Sequence, residues 1–180
     1  MAYAAWSVSF GEQPSAAKWN ILGTNDAYFD SIVGSGTAWT SFTPTWTASS
    51  VNPAIGNGTI SGKYQKFGKT VVARYTVTYG STTTYGTGSY RLSYPVTSVT
   101  WVTADDLQGL GIGHYVRSGF ANYILHAHAR STSTSYFEMS VQASAGGAGT
   151  YDTWTNFTQA VPATSQNGDS FRIQVVYEAA

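Results

Sequence analysis

The feature that most constrains the fold is a strict alternation of apolar and polar residues, which recurs from about residue 38 onward. In the stretch TVVARYTVTY, Val71, Ala73 and Tyr75 alternate with Arg74 and Thr76. A period of two places successive side chains on opposite faces of a β-strand. The same pattern occurs in SYRLSYPV, ANYILHAHAR, YFEMSVQ and SFRIQVVY. Each segment therefore predicts a strand with one buried and one solvated face.

Together with FTPTWT and a hairpin that turns at residues 67–69, these segments predict about eight strands separated by turn clusters. Clean two-face alternation is typical of antiparallel sheets that each expose one side to water. Eight strands over about 140 residues fit a jelly roll. The predicted fold of residues 38–180 is an all-β, antiparallel jelly-roll sandwich.

A Gly-Lys-Thr triplet at residues 68–70 resembles the end of a phosphate-binding loop. Such a loop requires four residues between its first glycine and the Gly-Lys pair, and it leads into a helix. Here five residues separate Gly62 from Gly68, and the sequence that follows alternates as a strand. The triplet therefore predicts a hairpin turn and excludes a nucleotide site.

The first 37 residues differ from the rest. Two short helices are predicted: one in PSAAKWNIL, which Gly23 ends, and one in TNDAYFDSIV, which Thr24 caps. Short helices with much apolar surface are not stable alone, so they must bury that surface against another structure. The apolar residues of this segment are Trp6, Phe10, Trp19, Leu22, Tyr28, Phe29 and Ile32.

Composition excludes several classes of protein. The formal net charge is zero and only 10% of residues are charged, so counterion-release binding to nucleic acid is not expected. The chain has no cysteine, which excludes disulfides and thiolate metal sites. Neither a signal peptide nor a membrane-spanning run is present, so we expect synthesis in the cytoplasm without membrane insertion. The remaining surface is neutral and rich in hydroxyl groups, which suits sugars or copies of the same chain.

The stretch SFTPTWTASSVNPAIGNGTISGKYQKFGKTVVARYTVTYGSTTTYGTGSYRLSYPV resembles the jelly-roll domain found at the C-termini of tailed-phage fibre and minor tail proteins. The matching features are Pro-Thr-Trp, Gly-Asn-Gly-Thr, Gly-Lys-Tyr followed by Gly-Lys-Thr-Val, and Tyr-Pro-Val. The ending NGDSFRIQVVYEAA is similar to the last strand of that domain, and GEQPSAAKWNILGTNDAYFDSI resembles a linking element ahead of it. Residues 100 to 165 match only in strand rhythm.

The resemblance implies a homotrimer, with three jelly rolls packed about an axis as in heads like those of complement C1q and tumour necrosis factor. It implies a short tail or head fibre of a virion, assembled in the host cytoplasm and acting outside the cell by contact with a bacterial surface. Residues 1–37 then contain the apolar side chains for virion attachment and trimer packing, through contacts with other virion proteins.

We therefore expect a structural and adhesive virion protein without catalysis or cofactor. Two alternatives remain open: a capsid decoration protein without a receptor role, and a carbohydrate-binding module of a bacterial surface protein. A third, a polysaccharide-degrading enzyme, needs two carboxylates across a glycosidic bond. The adjacent pair in this chain, Asp105 and Asp106, is typical of a solvated turn.

Aromatic residues beside short polar residues in loops and at strand ends are candidates for glycan stacking, because sugar rings pack on aromatic faces. The candidate glycan- or receptor-binding residues are Trp101, Tyr115, Tyr151, Asp152, Trp154 and Asn156. The alternative is that these aromatic rings fill the core or a subunit interface.

His126 and His128 lie two residues apart in one predicted strand and so point to the same side. On a threefold axis, three copies would supply six imidazoles, which suffice for an octahedral metal site. The alternative is that both are polar residues on the solvated face of the strand.

Overall fold

The computed structural model describes residues 4–29, 38–100, 108–130, 133–143 and 153–180. Over these residues the strands pair antiparallel and one helix is present, which is consistent with the predicted all-β class. The elements are α1 (Ala16–Phe29), β1 (Thr40–Phe42), β2 (Trp46–Ala48), β3 (Thr59–Phe67), β4 (Thr70–Thr78), β5 (Tyr90–Ser93), β6 (Gln108–Arg117), β7 (Ala121–Ala129), β8 (Tyr136–Ala143), β9 (Thr153–Asn156) and β10 (Ser170–Glu178).

The strands form one curled sheet. Its hydrogen-bonded order is β1-β3-β4-β10-β6-β7-β8-β5-β2, and β9 pairs with β8 on the same edge as β5, further along the strand. The β6–β7 hairpin joins a first half, which contains β3, β4 and β10, to a second half, which contains β8, β5 and β2. Because the sheet curls, the inner faces of the two halves meet and enclose the core.

Aromatic rings from the two halves interlock across the core. Trp46 of β2 stacks on Tyr79, just past β4, with ring centroids 5.2 Å apart. Tyr75 of β4 meets Phe137 of β8 edge to face at 5.1 Å. Such pairs add directional contacts to the burial of apolar area. The inward residues predicted from the alternation in β4, β8 and β10 are buried, as the two-residue period requires.

The Gly-Lys-Thr triplet forms the predicted hairpin. Phe67 pairs with Thr70, so Gly68 and Lys69 are the two residues of the loop. Gly68 has φ +57°, which a two-residue hairpin loop needs at its first position and which glycine adopts without strain. A strand follows the triplet, so this part of the chain is not a phosphate-binding loop.

The Gly-Asn-Gly-Thr motif at residues 56–59 joins the loop before β3 to the loop that follows β4. The side chain of Asn57 accepts hydrogen bonds from the backbone NH and the hydroxyl of Thr82 at 2.9 and 3.0 Å. A Cβ on Gly58 or Gly80 would collide with the backbone of the facing loop. The motif is therefore a packing device at this end of the sheet.

The structure contains ten strands among the described residues, two more than the sequence predicts. One reason is FTPTWT, which divides into β1 and β2. Pro44 separates the two strands, because proline cannot donate to a ladder hydrogen bond. β1 pairs with β3 and β2 pairs with β5, so this short segment supplies both ends of the sheet path.

The prediction of two short helices is wrong, because one helix runs through Gly23 without a break. Thr24 does not cap a second helix; its hydroxyl donates to the carbonyl of Asn20 at 2.9 Å, one turn earlier in the same helix. Ser15 precedes the first helical residue and accepts a hydrogen bond from the NH of Lys18 at 3.4 Å. Where the chain is described, it contains no helix with the length and apolar character of a membrane span.

Asp169 is a buried carboxylate that ties three segments together at one end of the core. It accepts hydrogen bonds from the hydroxyl of Tyr115 and from the backbone NH groups of Ser118 and Gln166, the last two at 2.8 and 2.9 Å. Three donors around one carboxylate offset the cost of removing its charge from water. The turn after β6 is thereby fixed to the start of β10.

Candidate functional site

The predicted glycan-binding residues separate into three groups. Trp101, Tyr151 and Asp152 lie outside the described residues. Tyr115 is fully buried, and its hydroxyl donates to Asp169 in the core. Its prediction as a stacking platform is therefore wrong, since its ring has no exposed face. Trp154 and Asn156 lie on β9, and both are exposed.

Trp154 and His126 are brought together on the outer face of the second half of the sheet. His126 pairs with Ser140 of β8, and Ser140 pairs with Asn156 of β9. The ring of Trp154 leans across β8 and lies 3.9 Å from the His126 ring, centroid to centroid. Ser140 has a small side chain, which leaves room for this contact. We call Trp154, Asn156, His126 and Ser140 the Trp154 surface.

The geometry of the Trp154 surface suits a ligand that offers both apolar and polar groups. The side chain of Trp154 is 51% exposed although one part of it rests on His126. Asn156 is exposed on the same face of β9, because it lies two residues further along the strand. An exposed indole next to amide and imidazole groups can stack on a sugar ring and bond its hydroxyls.

A buried ion-pair network lies beside this surface. Glu138 of β8 is 1% exposed and pairs with two arginines. The guanidinium of Arg91 lies 2.8 Å from Oε1, and Nε of Arg130 lies 3.2 Å from Oε2. Arg91 also stacks on the ring of Tyr136, 4.6 Å from its centroid. These contacts hold both arginines in place near the outer face of β8.

His128 links the ion-pair network to the Trp154 surface. It is 6% exposed, and its Nδ1 lies 3.5 Å from the Ser140 hydroxyl. Burial lowers the pKa of His128 below its ordinary value; the Glu138 carboxylate opposes this change, and Arg130 and His126 reinforce it. His128 is therefore neutral at pH 7. The interpretation of His128 as a solvated residue is wrong, because the neighbouring charged side chains cover it.

The metal hypothesis concerns the same two histidines. His126 and His128 lie on one face of β7, as predicted. In the described part of the chain, no three histidine, cysteine or acidic side chains are grouped so as to hold a metal ion. A metal site at this pair would therefore need ligands from outside the described residues of this chain.

The sequence analysis does not predict the buried ion pair between Glu138 and Arg91. In YFEMSVQ the glutamate occupies a polar position of the alternation, which is typical of a solvated residue. Its burial depends on the register, which places Glu138 between Arg91 on β5 and His128 on β7. The signal in the sequence for this buried network is an acidic residue, Glu138, on a strand whose two neighbours each contain a basic residue.

The apolar residues of the N-terminal segment form a second exposed surface. Asn25 is buried, and its side chain exchanges two hydrogen bonds with the backbone of Ala4, each 2.9 Å long. This contact folds the start of the described chain back along α1. The apolar residues that stay exposed on this segment are Trp6, Val8, Phe10, Trp19, Leu22 and Phe29. Tyr28 is half-buried, and Ile32 lies outside the described residues.

Comparison of the chain with protein-family models, with curated proteins and with solved structures found no match.

Proposed function

We propose that the chain is a short trimeric fibre protein of a tailed phage, which attaches the virion to glycans of the bacterial surface through the Trp154 surface and performs no catalysis. The sequence motifs that resemble phage jelly-roll domains support the viral assignment. The antiparallel curled sheet, with its core enclosed between two halves, supports the jelly-roll assignment for residues 38–180.

The observation that carries the adhesive role is the position of Trp154. Its ring is half exposed on a sheet face, and the contact with His126 restrains its orientation. Large aromatic side chains that are exposed and preorganised are typical of binding hot spots, because little side-chain entropy is lost when the partner arrives. Asn156 and His126 supply polar groups at the edge of the ring, which a glycan requires for orientation.

The exposed apolar residues of α1 support attachment of the N-terminal segment to a larger assembly. Trp19, Leu22 and Phe29 line one groove of about 580 Å³ along the helix. Contiguous apolar surface of this kind is typical of protein interaction sites. The same feature fits a capsid decoration protein without a receptor role, so glycan binding is what distinguishes the two functions.

The test is a binding assay on an array of bacterial surface polysaccharides, with the wild-type chain, Trp154→Ala and the control Phe120→Ala. Phe120 is also an exposed aromatic residue, 73% accessible, in the turn between β6 and β7. We expect Trp154→Ala to weaken binding by about tenfold or more, as loss of a central aromatic contact does. Phe120→Ala should bind as the wild type does.

Equal binding by Trp154→Ala and the wild-type chain would remove the Trp154 surface from the proposal. A wild-type chain that binds no bacterial polysaccharide would instead favour the capsid decoration function. Both variants change exposed side chains, so their thermal unfolding should match that of the wild type.

A further inference from the structure

Three basic side chains converge on the outer face of the first half of the sheet. Lys63 of β3 pairs directly with Arg74 of β4, so their side chains are neighbours on the same face. Arg74 pairs with Gln174 of β10, and Arg172 lies two residues along that strand, diagonal to Arg74. Like charges at neighbouring positions repel. The chain has nine lysines and arginines in total, and three of them occupy this one face.

Arg74 is held in a fixed position. Its Nε donates to the side-chain oxygen of Gln174 at 2.9 Å, and its guanidinium carbon lies 4.4 Å from the centre of the Trp39 ring. Trp39 precedes β1 and reaches across β3 to make this contact. The remaining guanidinium NH groups are left to bind a partner. Preorganised arginine loses less entropy when it binds an acidic group.

The three cations line a groove with hydroxyl groups on its walls. One depression is lined by Trp39, Ser61, Lys63, Arg74 and Thr76, and an adjoining one contains Arg74, Thr76 and Arg172. Each has a volume of about 320 Å³, and the shared residues make them continuous across β3, β4 and β10. We call this feature the cationic groove.

No carboxylate neutralises the groove within the described part of the chain. The ion pairs of that part join Lys18 to Glu12, Lys69 to Glu178, and Arg91 and Arg130 to Glu138. Lys63 and Arg172 are exposed, and neither appears in any of these pairs. The groove is therefore a concentration of positive charge on a chain whose net charge is zero.

We propose that the cationic groove binds an acidic polysaccharide, in which carboxylate or phosphate groups are attached to successive sugar units. Arginine and lysine pair with the acidic groups, and the hydroxyls of Ser61 and Thr76 bond the hydroxyls of the sugars. Binding relieves the repulsion between Lys63 and Arg74. Nucleic acid fits less well, because a duplex needs more cations than three and a chain without net positive charge attracts it weakly.

This inference does not depend on the proposed function, since a free acidic polysaccharide tests the groove whether or not the chain belongs to a virion. The groove also lies on β3, β4 and β10, whereas the Trp154 surface lies on β7, β8 and β9. A negative result at one site therefore does not affect the proposal for the other site, and the two binding assays use different variants.

The experiment measures binding to immobilised polygalacturonate, with neutral dextran and single-stranded poly-dT as comparison surfaces. We expect the wild-type chain to bind polygalacturonate, to release it as salt is raised, and to leave dextran unbound. The double variant Lys63→Gln with Arg172→Gln should lose about tenfold in affinity, because two charge-assisted contacts are removed. Its thermal unfolding should be unchanged, since both side chains are exposed.

The matched control is Lys66→Gln with Lys69→Gln, which makes the same change in net charge. Lys66 points away from the groove, because it follows Gln65 on the alternating strand β3, and Lys69 lies in the hairpin loop. This control should bind polygalacturonate within about twofold of the wild type, because distant exposed charges are screened by salt.

Four results would overturn the proposal. The first is that the wild type does not bind polygalacturonate, and the second is that both double variants lose the same affinity for it. The third is that the wild type binds poly-dT more tightly than polygalacturonate through the same residues. The fourth is a change in the mass of the assembly on substitution of Lys63 and Arg172, measured by light scattering, which would make the groove an interface between copies.

Discussion

At the scale of single residues, His128 shows how the sheet register creates an environment that the local sequence does not reveal. It is buried beside Glu138, which pairs with Arg91 and Arg130, while its neighbour His126 packs on Trp154. Two histidines with the same local pattern thus have different surroundings. The difference arises because β8 places Glu138 opposite one of them and Ser140 opposite the other.

A prediction at this scale concerns stability against pH. Because burial lowers the pKa of His128 in the folded chain, the unfolded chain binds a proton more readily in the window just below the ordinary value of 6.5. The contribution of neutral His128 to the free energy of unfolding is therefore fully present above pH 6.5 and is lost as the pH falls below that value. We expect His128→Gln to flatten the fall of the unfolding free energy across this window, as measured by urea denaturation at a series of pH values.

The control for this prediction is His114→Gln, an exposed histidine on β6. The prediction fails if the free energy of unfolding of His128→Gln changes with pH as steeply as that of the wild type between pH 6.5 and the folded-state pKa.

The contrast between Tyr115 and Trp154 explains why site residues were only partly predictable. Tyr115 follows Gly111 and Gly113 on the inner face of β6, and glycine has no side chain that marks a face as buried. A Cβ at either glycine would collide with carbonyl groups of β10. The residue pattern of β6 therefore does not show which face is buried, and this is why the prediction of Tyr115 as a glycan-binding residue on the surface is wrong.

At the scale of elements, the strands with continuous alternation were predicted well, since a two-residue period reports which face is buried. β4, β8 and β10 are examples, and their inward residues are the ones expected. The pairing between distant strands was not predictable in the same way. β10 lies between β4 and β6, and no local pattern specifies those neighbours.

The prediction that Gly23 ends a helix is wrong, because α1 continues through it. Glycine costs about 1 kcal/mol relative to alanine within a helix, which is a tolerable amount rather than a break. Gly23 has an ordinary helical position with open space around it. Helix termination by glycine requires a positive φ at that residue, and Gly23 is absent from the residues that show one.

We therefore expect Gly23→Ala to stabilise α1 by up to about 1 kcal/mol, because alanine loses less backbone entropy on entering a helix. The measurement is the helical signal in circular dichroism, followed with temperature. The matched change Gly68→Ala should instead lower the stability of the domain, since alanine is strained at φ +57°. A decrease in helical signal in Gly23→Ala would contradict the continuous helix.

At the scale of the whole molecule, exposed aliphatic side chains lie on the outer face of the β6–β7 hairpin, between the cationic groove and the Trp154 surface. Ile112 and Val116 of β6 and Ile124 of β7 point outward around His114, which pairs with Ile124, and 58%, 41% and 50% of their surfaces are exposed. These exposed aliphatic side chains gain free energy when they are buried against a copy of the chain. They support the proposed trimer.

We predict that the wild-type chain has the mass of three copies in light scattering and that Ile124→Glu reduces the mass to that of one. A carboxylate at the centre of an apolar contact would be buried without a partner, which costs more than such a contact contributes. The control Val51→Glu changes an aliphatic residue that is exposed to a similar extent, 58% against 50%, and lies near β2 in the second half of the sheet. Its mass should remain that of the wild type, and a monomeric wild type would end the trimer proposal.

The central position of β10 has a consequence for the order in which the molecule is completed during synthesis. Arg74 and Gln174 are bonded neighbours in the sheet, yet they are separated by 100 positions along the chain. While the ribosome is still adding the intervening residues, the long edge of β4 has no strand to join, and closing so large a loop is slow. The nascent polypeptide must therefore wait with an open edge on β4, and the exposed Arg74 in the middle of that strand places a charge there that opposes pairing with another chain.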